Sequence, residues 1–257
     1  MSDTRQGSTL SRGTASFPAP SSPLRGLRYG LRAGVLERAL GLLPTPRRNP
    51  FAFSYLLVLL GTSVFSQLAS PDLVHRLQAF SSTDGHNLMH RPLLALLLSG
   101  LWVAGPVWMP YLWAFALTVA PLERRVGPWR AFAVFAIGHV VATLVSQGVV
   151  AVMVATGQLG PDALGDLDIG VSYGVLVSLG AFAGLLRPRG RVLALAAGVA
   201  LIAHQIMDGS DLVTEIGHPT ALLIGIALWR WLRGGPGRPL RVRLRRLVPR
   251  RLAPSEA

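Results

Sequence analysis

Hydrophobic residues gather along the chain into long runs, which short polar or arginine-rich stretches separate. A helix that crosses a bilayer needs about 20 mostly apolar residues, and the runs predict six such spans. Their bounds are Phe51–Ala69, Met109–Pro121, Ala131–Thr156, Ile169–Leu186, Val192–Met207 and Gly217–Leu232. The apolar segment Pro92–Val107 contains two glycines and Pro106, so we interpret it as a loop that dips into the membrane against protein. The pattern predicts an all-α polytopic membrane protein with a six-span domain at 51–232.

The regions that flank this domain differ from it in composition. Residues 1–23 are rich in Ser, Thr, Pro and Gly, which predicts a disordered tail. Residues 24–50 interleave arginines with leucines at helical spacing. This pattern is typical of a basic amphipathic juxtamembrane helix or of a solvated, partly helical linker. Residues 233–257 form a basic tail whose charge attracts anionic lipids or only sets the orientation. No short apolar core precedes residue 51, so we expect no cleavable signal peptide.

Composition agrees with a membrane protein and excludes several kinds of chemistry. The chain of 257 residues is 51% hydrophobic and only 14% charged, too little charge to cover a soluble domain of this length. It has no cysteine, which excludes disulfides, thiolate catalysis and cysteine-based metal sites. A net charge of +13 could indicate nucleic acid binding, but the basic residues are all arginines at segment ends. We therefore expect no nucleic acid partner.

The arginines also predict the orientation in the membrane. Arginine-rich stretches at residues 1–50, 122–130, 187–191 and 230–257 alternate with connections that carry no net positive charge. Such stretches remain in the cytoplasm when a membrane protein inserts. The sequence thus predicts a multi-pass protein of the cell membrane with both termini cytoplasmic.

Two polar residues from different predicted spans are expected at similar depth near the outer face. Ser172 follows Asp168 by four residues, and His218 follows Glu215 by three. A histidine inside a span is costly and indicates a function that involves a partner, and a serine becomes nucleophilic beside a base. The pair is therefore a candidate catalytic dyad. The alternative is a packing serine and a histidine that makes an interhelical hydrogen bond.

Small residues predict close contact between the helices that carry this pair. Small side chains allow two helix backbones to approach each other. They recur at helical spacing in both spans: Gly170, Gly174, Ser178 and Ala181 in the fourth, with Gly180 and Gly184 beside them, and Ala221 and Gly225 after His218 in the sixth.

Further polar residues occupy the other spans and the loop after the first span. Those in the spans are His139, Ser146, Gln147, His204 and Gln205. Their spacing is not typical of a metal site, so we expect interhelical hydrogen bonds and no metal or other cofactor. His86 and His90 flank Asn87, and we interpret all three as part of a surface loop.

Three stretches resemble motifs of the rhomboid family of intramembrane serine proteases, and the chain is similar to divergent rhomboid-like proteins of high-GC bacteria. They are LERRVG (Leu122–Gly127), GVSYGVLVSLG (Gly170–Gly180) and GHPTALLIG (Gly217–Gly225). The resemblance covers residues 92–231. It implies a rhomboid-like six-span bundle in which Ser172 is the nucleophile and His218 the general base. It also implies substrates that are single-span membrane proteins, cleaved near the outer face.

The sequence departs from the family pattern at two places. The glycine that usually follows the nucleophile is Tyr173. The His and Asn that help to bind the oxyanion from the second span fall, by counting back from Glu123, at Val107 and Tyr111.

These departures leave two functional interpretations. In the first, other groups support the oxyanion: the backbone N–H of Ser172, the side chains of His86 and Asn87, and Gly170. In the second, the protein is a catalytically inactive rhomboid-like protein that binds membrane clients without cutting them. A small transporter is a weaker alternative, because the sequence has no inverted repeat.

Overall fold

A computed structural model describes residues 41–103 and 109–234, and all regular structure within them is helical. The predicted all-α class is therefore confirmed for this part of the chain. The predictions for residues 1–23, for most of 24–50 and for nearly all of the tail 233–257 lie outside the described residues.

The helices are labelled here in chain order. They are α1 (Pro50–Leu68), α2 (Pro71–Ser81), α3 (Gly85–His90), α4 (Pro92–Ser99), α5 (Met109–Leu117), α6 (Val119–Val126), α7 (Pro128–Ala155), α8 (Ser172–Gly184), α9 (Pro188–Met207), α10 (Leu212–Ala227) and α11 (Trp229–Gly234). A 3-10 helix, Pro161–Gly165, lies between α7 and α8. Prolines occupy the first turn of α1, α2, α4, α7 and α9, where a missing N–H and a fixed φ cost nothing.

Four helical segments are long and apolar enough to cross a membrane. They are α1, α7, α9 and the stretch Leu212–Gly234 formed by α10 and α11. They correspond to the first, third, fifth and sixth predicted spans. The second predicted span is instead the pair α5 and α6, which are separated by the non-helical backbone of Thr118. Pro121 explains the break, because its ring clashes with the carbonyl four residues earlier. The fourth span, α8, has only 13 residues.

The predicted starts of the two spans that carry Ser172 and His218 are wrong by three and five residues. Helix α8 begins at Ser172 rather than Ile169, so Ser172 lies in the first turn and not one turn inside. Helix α10 begins at Leu212 rather than Gly217, because Asp211 caps it by accepting the N–H of Thr214 at 2.7 Å. His218 consequently lies in the second turn of its helix.

The connections after α1 are more regular than predicted. The segment interpreted as an irregular dipping loop starts as helix α4, and residues 104–108 lie outside the described part. His86, Asn87 and His90 belong to the short helix α3 rather than to an irregular surface loop. Asp84 begins this helix by accepting the N–H of Asn87 at 2.9 Å.

Helices α8 and α10 pack backbone to backbone, as the small residues predicted. A Cβ atom on Gly225 would lie 2.3 Å from the carbonyl oxygen of Val177 and 2.7 Å from the nitrogen of Ala181. Two other glycines of α8 face elsewhere: Gly174 packs on Phe135 of α7, and Gly184 packs on Trp229 of α11. The seam beside the two candidate catalytic residues is thus formed mainly by Gly180 and Gly225.

Helix α9 lies at the edge of the bundle. It buries only Gly198 and Ile202, while Leu193 is 71% and Val199 58% exposed. Exposed apolar side chains along a long helix are expected when the surrounding solvent is lipid.

Three arginines from different helices converge on the C-terminal end of α8. Arg233 donates to the carbonyl oxygen of Gly184 at 2.7 Å, and Arg125 donates to that of Leu185 at 3.2 Å. Arg191 donates to the carbonyl oxygens of residues 183 and 186. The last carbonyls of a helix lack intrahelical partners and carry a partial negative charge, so guanidinium groups stabilise this end. We call it the arginine-capped end of α8.

The stretch LERRVG is hydrogen-bonded to the N-terminus of α1 in an arrangement that we call the Glu123 clasp. The buried carboxylate of Glu123 accepts the backbone N–H groups of Phe51 and Ala52, each at 2.9 Å. Asn49 donates to the carbonyl of Ala120 at 2.8 Å and accepts a hydrogen bond from Arg124 at 3.0 Å. The clasp holds the first span against α6.

Candidate active site

A cavity of about 580 Å³ opens at the end of α8 opposite its arginine-capped end. Its lining is mostly polar and comes from six helices and the loop before α8. The lining includes Ser63, Ser66 and Gln67 of α1, Gln78 of α2, Tyr111 of α5, residues 167–170, Ser172 and Tyr173, Gln205 of α9, and Asp211, Thr214 and His218. The structure therefore brings Ser172 and His218 to one cavity.

Ser172 is half-buried at the start of α8, and its position depends on the loop that precedes it. Gly170 has φ of 135°, a backbone conformation that favours glycine. Its N–H donates to the carbonyl oxygen of Ser99 at 3.0 Å. This bond ties the approach to the serine to the end of α4.

Asp168 fixes the same loop from its other side. Its carboxylate accepts hydrogen bonds from the hydroxyl of Thr83 at 3.0 Å and the side-chain amide of Gln147 at 3.1 Å. Its backbone N–H donates to the hydroxyl of Ser82 at 3.0 Å. Burial raises the pKa of Asp168 to about 6, and the bonds from Gln147 and Thr83 oppose that rise. Residues far apart in the chain thus determine where α8 begins.

His218 is 4% exposed, and its two ring nitrogens have different surroundings. Nδ1 lies 2.7 Å from the side-chain oxygen Oε1 of Gln205. Nε2 is buried and has no hydrogen-bond partner within the described residues. Within the described residues, the hydroxyl of Ser172 makes no hydrogen bond to this ring.

Tyr173, the residue that replaces the usual glycine, is buried, lines the cavity and contacts α10. Its hydroxyl donates to the carbonyl oxygen of Val213 at 3.1 Å. Its ring meets the His218 ring edge-on, with centroids 5.4 Å apart. A Cβ atom on Gly217 would lie 2.4 Å from this ring, so Gly217 provides the space that the tyrosine occupies. The bulky neighbour of Ser172 is accommodated by a glycine next to His218.

A second serine–histidine pair lies in the bundle but does not have the properties of a dyad. The hydroxyl of Ser99 lies 3.2 Å from Nε2 of His139, and the same nitrogen lies 3.1 Å from the carbonyl oxygen of Leu96. A carbonyl only accepts, so Nε2 carries the hydrogen and cannot take a proton from Ser99. Neither residue lines the cavity. His139 and Gln205 make the kind of interhelical hydrogen bond that we predicted. Gln147 instead donates to Asp168 in the loop before α8.

The structure separates His86 and Asn87 from the cavity, although both were candidate oxyanion donors. Asn87 donates its amide hydrogens to the carbonyls of Ala79 and Ser82 and to the carboxylate of Asp84, at 2.8 to 2.9 Å. His86 is exposed on α3 and does not belong to the lining. Gly170 does line the cavity, but its N–H is used by the bond to Ser99.

The sequence interpretation missed polar residues that the structure brings to the cavity. Ser63, Ser66 and Gln67 lie three and four residues apart on α1 and so share one face. Tyr111 lines the cavity from α5, at the position where the family pattern has its asparagine. The sequence contains a signal for each: Ser63, Ser66 and Gln67 form a polar stripe in an apolar helix, and Tyr111 places a hydroxyl at the position of the family's asparagine.

The comparison with protein families agrees with this arrangement. A family model described as rhomboid-like protein matches residues 46–238, which include every described helix from α1 to α11. The chain belongs to the rhomboid-like family. No curated protein and no solved structure matched the chain.

Membership identifies the protein as a multi-pass membrane protein with a rhomboid-type helical domain. In this rhomboid-like chain the stretch LERRVG forms the Glu123 clasp. The two stretches that resemble the family's serine and histidine motifs lie on α8 and α10. Their seam of glycines brings the two motifs together at the cavity.

Proposed function

We propose that the protein is an intramembrane serine protease that hydrolyses peptide bonds of membrane-anchored proteins near the outer face, with Ser172 as nucleophile and His218 as general base. The observation that carries the proposal is that both residues line one cavity, while Nε2 of His218 is left without a partner among the described residues. A nucleophile and a base on one cavity wall are what acyl transfer requires.

The reaction would proceed by acyl transfer. The hydroxyl oxygen of Ser172 attacks the substrate carbonyl while Nε2 of His218 accepts the hydroxyl proton. The tetrahedral intermediate then collapses, the C–N bond breaks, and the histidine returns its proton to the leaving amine. A water molecule from the cavity attacks the acyl carbon, with Nε2 of the histidine again accepting a proton. The C–O bond to Ser172 then breaks, the histidine returns that proton to the serine oxygen, and the carboxylic acid product leaves. The cavity of about 580 Å³ is large compared with the roughly 30 Å³ that a water molecule occupies.

The oxyanion would be bound by two donors on the cavity wall. The backbone N–H of Ser172 lies in the first turn of α8, where helical N–H groups have no intrahelical partner and the helix dipole favours negative charge. Tyr111 offers a hydroxyl from α5 at the aligned position of the family's asparagine. Two donors are a usual complement for an oxyanion site.

Orientation and substrate class rest on the charge pattern. With the arginine-rich stretches in the cytoplasm of a cell-membrane protein, the cavity faces outward and the bond is cut near the outer juxtamembrane region of a single-span substrate. Anionic lipids would contact the basic tail.

The dyad is tested by labelling of the purified full-length protein with a serine-directed fluorophosphonate. We expect label on Ser172 in the wild-type protein and none in Ser172→Ala, with His218→Ala close to background. A matched control is Ser178→Ala, since Ser178 lies on the same helix but its hydroxyl bonds to the carbonyl of Gly174 at 2.7 Å. Label that persists in Ser172→Ala, or a wild-type protein that neither labels nor cleaves any of a panel of single-span substrates, would contradict the proposal.

Replacement of Tyr111 by phenylalanine is expected to lower the cleavage rate by about a hundredfold, because loss of one oxyanion donor has an effect of that order. The protein should remain folded, as judged by its thermal melting. The matched control is Tyr55→Phe, which removes a hydroxyl that donates to the carbonyl of Gly100 at 2.7 Å, away from the cavity. Equal cleavage rates in wild type and Tyr111→Phe would exclude Tyr111 from the oxyanion site.

A second candidate function is that of a catalytically inactive protein that binds membrane clients in the same cavity. The missing hydrogen bond between Ser172 and His218 within the described residues favours it. This function predicts that single-span clients crosslink to cavity residues such as Ser66 or Gln67 without being cut. Cleavage products that disappear in Ser172→Ala would exclude it.

A further inference from the structure

We infer that Gln205 of α9 is the residue that orients His218, so that the reacting unit comprises Ser172, His218 and Gln205. The catalytic role of Gln205 rests on the proposed function. Its effect on the tautomer of His218 can be measured without any activity. The observation is the 2.7 Å contact between Nδ1 of His218 and Oε1 of Gln205.

The position of the ring proton follows from the chemistry of the two partners. An amide oxygen only accepts hydrogen bonds, so the contact places the hydrogen of a neutral imidazole on Nδ1. Nε2 then carries a lone pair, and this is the nitrogen that is buried without a partner among the described residues. A base that is to accept the proton of Ser172 needs that lone pair.

The opposite orientation of the Gln205 amide is less favourable. If its NH₂ group faced Nδ1, the hydrogen of the ring would be on Nε2, which has no acceptor in the described part of the chain. Buried N–H groups without an acceptor are rarer in proteins than buried acceptors without a donor. The surroundings of the ring therefore select the Nδ1–H form.

Other groups around the ring do not compete for this role. Asp211 is the cavity-lining carboxylate on the same side of α10, and both of its oxygens are used by Thr214, at 2.7 and 2.9 Å. Tyr173 packs the edge of its ring against the imidazole and directs its hydroxyl to the carbonyl of Val213. Gln205 is thus a positioning residue that acts through His218.

A helix at the edge of the bundle therefore supplies the third member of the site. Helix α9 buries only Gly198 and Ile202, so few apolar contacts fix its outer part. The hydrogen bond that Nδ1–H of His218 donates to Gln205 makes the tautomer of the base depend on the placement of α9.

The decisive experiment is nitrogen NMR of the full-length protein in lipid nanodiscs, with histidine labelled in both ring nitrogens. The resonance of His218 is assigned by its loss in His218→Asn, and its ¹⁵N shifts distinguish the Nδ1–H from the Nε2–H form. We expect Nδ1–H in the wild type. We expect the Nε2–H form to appear in Gln205→Met, which keeps the size but removes the acceptor, and Nδ1–H to return in Gln205→Glu, which keeps an acceptor.

The fluorophosphonate labelling rate provides the second measurement. Gln205→Met should label about a hundredfold more slowly, the scale expected when a reacting group is misplaced by about 1 Å, and Gln205→Glu should recover most of the rate. His204→Ala is the matched control, because His204 is the neighbouring residue on α9, its side chain is 71% exposed, and it pairs with Asp208 one turn along the same helix. It should change neither the tautomer nor the rate.

Two results would overturn the inference: an Nε2–H form in the wild-type protein, or an unchanged tautomer in a folded Gln205→Met. If Gln205→Met does not fold, the tautomer in the wild type and in Gln205→Glu decides. A wild-type protein that shows the expected tautomers but never labels would refute the protease function and leave the placement of Gln205 intact.

Discussion

Substitution of Gly225 by leucine is expected to leave no folded protein. A Cβ atom at this position would lie 2.3 Å from the carbonyl oxygen of Val177, 2.7 Å from the nitrogen of Ala181 and 2.9 Å from the Cα of Gly180. All three atoms belong to the backbone of α8, which cannot rotate aside as a side chain can. Even alanine would push α8 and α10 apart, at a cost of at least about 1–3 kcal/mol in the free energy of unfolding.

Thermal melting in detergent, followed by circular dichroism, measures this effect. The matched control is Gly148→Ala, since a Cβ atom on Gly148 of α7 meets nothing within 4 Å. That variant should be unchanged or more stable by about 0.5–1 kcal/mol, the helical preference for alanine over glycine. A Gly225→Leu protein that melts like the wild type would mean that the two helices do not pack as described.

A large loss of stability is also expected when Glu123 is replaced by alanine. Its carboxylate accepts the N–H groups of Phe51 and Ala52 while itself 2% exposed. Both N–H groups belong to the first turn of α1, so the protein would lose two charge-assisted hydrogen bonds at a buried helix end. An unsatisfied buried donor costs about 1–3 kcal/mol, and two of them would remove much of the roughly 5–15 kcal/mol that stabilises a typical domain.

The same melting experiment can separate this effect from a general loss of negative charge. Glu123→Gln keeps one acceptor oxygen and should melt between the wild type and Glu123→Ala. Asp72→Ala removes an exposed carboxylate from the first turn of α2 and should change the stability by no more than about 1 kcal/mol. If Glu123→Ala and Asp72→Ala lose equal stability, the clasp on α1 contributes nothing specific.

The sequence alone correctly predicts the helical membrane class, four of the six spans as helices long enough to cross a membrane, and the close packing of α8 on α10. Each of these depends on hydropathy or on residue size along a single helix. It does not predict the start of α8. That start depends on Asp168, whose partners Ser82, Thr83 and Gln147 are distant in the chain. Hydropathy extends the span to Ile169, since residues 169–171 are themselves mostly apolar.

The sequence indicates the two main residues of the candidate site but not the residues that surround them. Ser172 and His218 lie in stretches that resemble family motifs. Tyr111 lies at the position of the family's asparagine, but hydropathy does not indicate a role for it. Gln205 has no motif, and only the rotation of α9 about its own axis decides whether it faces His218 or lipid. Packing determines that rotation. Because α9 buries few residues, its hydrophobic pattern does not indicate which side faces the bundle.

The arginine-capped end of α8 has a consequence for where proteolysis could occur. Thirteen residues of α-helix measure about 20 Å, whereas the hydrocarbon layer of a bilayer is about 30 Å thick. It is unfavourable for guanidinium groups to enter that layer, so the arginine-capped end stays at its surface. The helix is shorter than the layer, and its other end therefore does not reach the opposite surface. We therefore expect Ser172 to lie below the lipid head groups, at a level where the bilayer itself offers no water. The polar wall of the cavity is what makes a hydrolytic reaction conceivable at that depth.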